Sequence, residues 1–277
     1  MVGSKLSCAR HWLAALALAL GMAAAQASEL VLAVNEGVTY RVPQEQIVAK
    51  YTAIAADLGK LLKRNVVVQP VGDYPTLRAG LAAKRYDLAL VHPAHLSIVA
   101  LRDSGYTLVA VTQGFQTYSA NFLVRADAPY KGLAELKGLR LGAPDEDSIT
   151  SWMVRATLRD ALGGADQVRY VYTRYQDAVP FFVENHLTPA GATASSAVIK
   201  AWTEKGGKVL FKSKPVPIKH VIAGPALSAD EVRTVRAYLL ALADTDDGRK
   251  KLEPTKLKGF AAYEQSEMMT LGKWLGL

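Results

Sequence analysis

Between residues 138 and 164 the chain reads GLRLGAPDEDSITSWMVRATLRDALGG, and the period of its apolar positions changes part-way along. A short apolar run over 139–143 predicts a strand, and a polar turn follows. Ile149, Trp152, Met153 and Ala156 then recur at i, i+3, i+4 and i+7, one face of a helix that Gly163-Gly164 ends. Asp147 or Ser148 is the natural N-cap, because a short side-chain oxygen there accepts a free backbone N–H of the first turn. Ser148, Thr150 and Ser151 crowd three hydroxyls around the other free N–H groups, at the positive end of the helix dipole. Such an end suits an oxyanion, and it equally suits a helix that is merely well capped.

The same patterning organises the rest of the chain. Apolar strands are predicted at 29–35, 65–70 and 86–91, alternating with helices at 43–62, 73–84 and from His95 to about 103. Strands at 108–112 and 121–125 flank the polar, aromatic stretch GFQTYSA, which is read as a first crossing between two lobes. The pattern then restarts: strand 139–143, the helix above, strand 168–172, helix 176–185, a short strand at 191–193, a helix to 205 and a strand at 209–212. SKPVP at 213–217 is stiff and helix-poor, as a return linker is. A strand at 220–223, a helix capped by Ser228 and a closing helix at 264–275 complete the prediction. Strands alternating with helices imply parallel sheets covered on both faces, with ligands beyond the strands' C-terminal ends, where Tyr40, His92 and His95 fall.

Composition narrows the function. Lys5 and Arg10, the apolar run 12–20 and Ala25-Gln26-Ala27 read as a secretory signal peptide cleaved after Ala27, leaving 250 of the 277 residues. No later run is apolar enough to cross a membrane. The only cysteine, Cys8, lies in that leader, so neither a disulfide, a thiolate metal site nor a cysteine nucleophile is expected beyond it. The leader takes two positive charges from the net +8, leaving +6. Much of that excess is Lys200, Lys205, Lys208, Lys212, Lys214 and Lys219, read as a solvated face with weak steering of anions as its functional alternative. No nucleic-acid-binding module is found.

The candidate chemistry is sparse. His92 and His95 suit donors to an oxyanion, pH-tunable cations or metal ligands, but two histidines without a nearby cysteine or acid make an incomplete zinc site. Tyr40 is either a lid over a ligand or a packing aromatic. Trp152 and Trp202 read as core or cleft-wall residues. There is no G-x-S-x-G elbow, H-E-x-x-H motif or Walker-type phosphate loop. Ser148, His92 and Asp87 can be drawn as a triad, although no spacing favours it.

In their order, Tyr40, Tyr74-Pro75, the strand with Asp87 running into Pro93, LKGLRLGAPDEDSITSW, SKPVP and the tail DGRKKL followed by Gly259-Phe260 resemble the phosphonate and phosphate-type solute-binding proteins of ABC importers. The resemblance covers essentially all of the chain after the leader. It implies an α/β fold of two Rossmann-like lobes joined by two crossover segments, with an interlobe ligand cleft, the type II periplasmic binding protein fold. It implies oxyanion contacts from Ser148, Thr150 and Ser151, an aromatic lid at Tyr40, and an acid toward ligand amines at Glu184. Two departures stand out: His92 replaces the family's glycine before Pro93, with His95-Leu96 where a tyrosine is expected, and Asp145, Glu146 and Asp147 crowd the anion's approach. Like charges about 4 Å apart cost on the order of 4 kcal/mol at an effective dielectric near 20, so these acids must be capped or turned away for an anion to bind.

The resulting expectation is a non-enzymatic, monomeric periplasmic protein without cofactor or metal. Lobe 1 is placed at 28–115 plus 218–277 and lobe 2 at 116–217. It binds a small oxyanion through Tyr40, His92, His95, Ser148, Thr150, Ser151 and Glu184. It hands the closed form to an ABC permease, with a membrane sensor kinase as the alternative partner and a secreted hydrolase as the remaining alternative.

Overall fold

Runs of branched apolar residues build the two sheets. The computed structural model describes residues 29–37 and 42–277, so the expected leader and Tyr40 lie outside the described residues. In the first half, β1 (Leu30–Val34), β2 (Val66–Pro70), β3 (Leu88–Val91) and β4 (Thr107–Thr112) alternate with α1 (Gln44–Leu62), α2 (Tyr74–Ala82) and α3 (Ala94–Asp103). Beyond the first crossing lie β5 (Asn121–Val124), β6 (Arg140–Ala143), α4 (Ile149–Leu162), β7 (Arg169–Tyr172), α5 (Val179–Glu184), β8 (Ala190–Thr193), α6 (Ser196–Glu204) and β9 (Lys208–Lys212). After the return come β10 (His220–Ala223), α7 (Ala229–Ala241), α8 (Asp246–Leu252), β11 (Phe260–Ala261) and α9 (Gln265–Leu275). The predicted elements sit within a few residues of these, while α8 and β11 were not anticipated, both being too short to show a period.

The two sheets share one plan. The first runs β2-β1-β3-β10-β4-β11 and the second β7-β6-β8-β5-β9. In each, three parallel strands come first, and the strand that has just arrived from the other lobe inserts antiparallel beside them. The connections 113–120 and 213–219 therefore run side by side in opposite directions. Val216 N–H donates to the Tyr118 carbonyl at 2.8 Å and Ile218 N–H to the Phe115 carbonyl at 3.1 Å. The C-terminal ends of the parallel strands of both sheets face the gap these two segments span, which is where such folds place ligands.

One apolar cluster joins the lobes on one side of that gap: Ile98 and Leu101 of α3, Met153 and Leu158 of α4, and Met268 of α9 all belong to it. The approach of α9 to α3 is close enough that a Cβ at Gly272 would lie 2.5 Å from Ile98 Cγ2, so a glycine is needed there.

Candidate functional site

Two helices of lobe 2 point their N-termini toward lobe 1, and they are differently furnished. At α4, Ser148 takes the cap, its Oγ accepting from Ser151 N–H at 3.2 Å. Ser151 Oγ donates to the Pro144 carbonyl at 3.0 Å, and Thr150 Oγ1, fully buried, lies 3.2 Å from Tyr118 Oη. All three hydroxyls are therefore used within the chain. Of the acids before them, Asp145 and Glu146 are exposed and Asp147 is half-buried. Asp147 is held by Arg78 Nη2 at 2.8 Å, by the indole N–H of Trp152 at 3.4 Å, and lies 3.3 Å from His95 Nε2. That last contact is not aligned as a hydrogen bond, since both His95 ring nitrogens are buried without one. Contact with His95, then the Arg78 guanidinium, holds the Asp147 carboxyl well below the usual carboxylate range, while burial pushes the His95 pKa down. The His95 ring stacks on Trp152, centroids 5.7 Å apart, and Arg155 covers the same indole at 4.6 Å.

The second N-terminus, that of α6, opens on a cavity of about 1150 Å³ between the lobes. Ser195 caps it, accepting from Val198 N–H at 3.4 Å, and Ser195 and Ser196 line the cavity wall. Tyr118 and Gln176 stand beside them. Gln176 Nε2 donates to Tyr118 Oη at 2.8 Å, and its carbonyl accepts from Ala194 N–H at 2.7 Å and Thr193 Oγ1 at 3.1 Å. The facing wall carries Glu36, His92 and Lys219. Glu36 is taken up by Lys50 at 2.8 Å and Tyr51 Oη at 3.0 Å. Lys219 Nζ sits 4.1 Å from the centroid of Phe115, and burial pushes its pKa down. Burial, with Lys219 adding repulsion, pushes the His92 imidazole down to about 3, so the ring is neutral. Its Nδ1 is buried without a partner, and a Cβ at Gly37, where φ is +102°, would meet it at 2.6 Å. With Glu36 already paired, the lining sets Lys200, Lys212, Lys219 and a helix N-terminus against Asp177, a balance that favours an anion.

Of the residues singled out from sequence, His92 lines this cavity and Thr150 touches it through Tyr118. His95, Ser148 and Ser151 cluster at the α4 end instead. Glu184 is exposed and paired with Lys205 at 3.4 Å, away from both. Asp87 accepts from Val31 N–H at 2.8 Å and Ser148 is spent on Ser151, so the triad drawn from sequence is not assembled. Among the described residues no three His, Cys, Asp or Glu side chains form a metal-binding group. Lys219 departs from the solvated face expected of the lysine run, because the return segment turns it inward. Gln176 and Ser195 escaped the sequence reading, and Lys219 entered it only within the lysine run, with weak steering of anions as its alternative; of the first two only Ser195, a serine before an apolar helical face, carried a usable signal.

A sequence profile of the ABC transporter phosphonate periplasmic substrate-binding proteins matches residues 37–268. The chain belongs to that family. Among solved structures this binding protein is similar to XAC2383 from Xanthomonas citri bound to ATP, with 15% identity, a TM-score of 0.71, and coverage of 90% of this chain and 97% of that one. It is similar to PhnD1 from Prochlorococcus marinus in complex with methylphosphonate, at 15% identity and TM-score 0.62, covering 89% and 96%. The periplasmic aliphatic sulphonate binding protein SsuA from Escherichia coli is a further likeness, at 15% identity and TM-score 0.52, covering 90% and 79%. At such identities these structures speak for the fold, which is that of two α/β lobes around a cleft. No curated protein sequence matches the chain.

Proposed function

We propose that this binding protein, exported through a leader ending at Ala27, takes its oxyanion in the interlobe cavity and delivers it to an ABC permease as a monomer. The observation that carries the reading is Lys219, a half-buried cation lining the same cavity as the α6 N-terminus, while Glu36 is committed to Lys50 and Tyr51. His92, Ser195 and Ser196 complete the anion's surroundings. Tyr118, fixed between Gln176 and Thr150, relays the position of α4 to that site. The lobes divide at 115/116 and 217/218, and the two side-by-side connections act as the hinge. Ligand contacts from both lobes are made together only when the cleft is shut, so binding favours that form.

The test is thermal unfolding against phosphate, methylphosphonate, an alkylsulfonate and acetate. A ligand at about 100 times its Kd stabilises by roughly 2.7 kcal/mol, a shift of a few degrees in a chain of this size. Lys219→Gln should weaken the effective anion about 10- to 100-fold, as expected for loss of a charged hydrogen-bond donor. An unchanged titration in Lys219→Gln moves the ligand elsewhere and overturns the assignment.

A further inference from the structure

The contact between the lobes at the α4 end does not need a ligand. Asp147 comes from the turn after β6, in lobe 2, whereas Arg78 lies on α2 and His95 on α3, both in lobe 1. The 2.8 Å ion pair between Asp147 and Arg78 therefore ties one lobe to the other, and the His95–Trp152 stack beside it does the same through apolar contact. The acids on either side of the turn differ in this respect: Asp145 Oδ1 is turned back onto Asp147 N–H at 2.9 Å, and only the backbone carbonyl of Glu146 is engaged, by Arg155 at 3.0 Å. An ordinary solvated turn would give the three acids equal freedom. Asp147 instead stands where an anion bridging the lobes would stand, with donors from both.

We propose that Asp147 is a positioning residue for ligand capture: its carboxylate is a built-in counter-anion that clasps Arg78 across the cleft and holds the lobes partly closed before any ligand arrives. The inference rests on the interlobe cavity being the ligand site. A tethered carboxylate presents itself to Arg78 at an effective concentration in the millimolar range, so the clasp persists at micromolar ligand. A ligand then enters a cleft whose lobes are already aligned on one side, and the fraction of binding-competent protein, which scales the apparent affinity, is raised.

The experiment reads the distance between the lobes directly. In the protein that begins after Ala27, which has no cysteine of its own, spin labels at Arg85→Cys and Lys137→Cys, both exposed positions in opposite lobes, report the separation in ligand-free protein. Arg78→Gln and Asp147→Asn should each lengthen and broaden that distance distribution, and the double variant should do no more than either alone. Arg78→Gln, which leaves the cavity lining and the α4 cap intact, should also weaken methylphosphonate about two- to five-fold, the scale of a half-exposed ion pair. If Arg78→Gln leaves the ligand-free distances unchanged, or if the two substitutions add, the clasp is wrong, even if Asp147→Asn lowers the melting temperature by disturbing the turn. If methylphosphonate, phosphate and an alkylsulfonate all fail to bind the parent protein, the cavity assignment fails, while the distances still decide the clasp.

Discussion

The N-termini of α4 and α6 are alike in sequence and opposite in use. Each is capped by a serine whose Oγ accepts from the amide three residues on, and each has a further hydroxyl in its first turn. At α4 the opposite lobe brings Arg78 and His95 against it, and the chain supplies its own carboxylate. At α6 the opposite lobe stands back, leaving a cavity with Lys219 across from it. Residue type sets what a helix end can hold. What lies on the facing lobe decides whether it is free to hold it.

On the proposed reading α4 is mainly structural and α6 mainly functional, and the largest expected effect tests the first half. Met153→Ala removes a fully buried side chain from the cluster shared by both lobes and should cost about 2–5 kcal/mol in denaturant unfolding. Anion affinity measured well below the transition should change little. A large affinity loss with intact folding would show that α4 acts on the ligand after all.

Acid should separate the two ends next. His220, fully buried with its Nε2 donating to the Pro217 carbonyl at 2.9 Å, is pushed by burial down to about 4, and His92 to about 3. Both folded values lie below the unfolded value near 6.5, so the unfolded chain binds more protons as pH falls. Their stabilisation is thus complete above about pH 6.5 and declines below it, by about 1.4 kcal/mol per pH unit for each histidine, until the folded pKa is reached. Asp147 has the same sign in a lower window: its depressed carboxyl keeps its contribution down to the ordinary carboxylate range near 3.9 and loses it only below. Melting temperature should therefore fall steadily between pH 6.5 and 4, and His220→Gln should flatten the slope. An equal slope in that variant would mean that His220 is not the group being titrated.

The caps give a smaller and sharper contrast. Ser148→Ala and Ser195→Ala should each cost about 1 kcal/mol of stability, since each leaves one helical N–H without its acceptor. Only Ser195→Ala should also change the anion titration, because only that helix end borders the cavity. If both variants bind alike, the two ends are equivalent and the contrast collapses.

Much of this was legible in the chain because it is local. Asp73, Ser148 and Ser228 announce their helices as caps, and alternating strands and helices imply parallel sheets, which holds for three strands of each sheet, while the strands added by the crossings pair antiparallel and make both sheets mixed. The α6 start is equally local, since Ser195 precedes the apolar face of a predicted helix as a cap does. Lys219 was not legible: its neighbours in sequence are surface lysines, and only the pairing of the two connections, residues 115–118 against 216–218, turns it into the cleft. The role of Asp147 was hidden for a similar reason, since Arg78 lies 69 positions away in the other lobe.

Glu184 sets the floor of the scale. Its resemblance-based role would put a carboxylate against the ligand, yet its only ion pair among the described residues is with Lys205, both largely in solvent at 41% and 71% exposure. Such pairs contribute little, so Glu184→Gln should shift stability by no more than about 0.5 kcal/mol. Anion affinity should not move within error either, because the side chain lies on α5 away from the cavity wall formed by Gln176 and Ser195. A loss of affinity above about five-fold would require α5 to turn toward the ligand on closure. In that case the contrast between the two helix ends would describe only the ligand-free cleft, and the bound form would have to recruit a third surface of lobe 2.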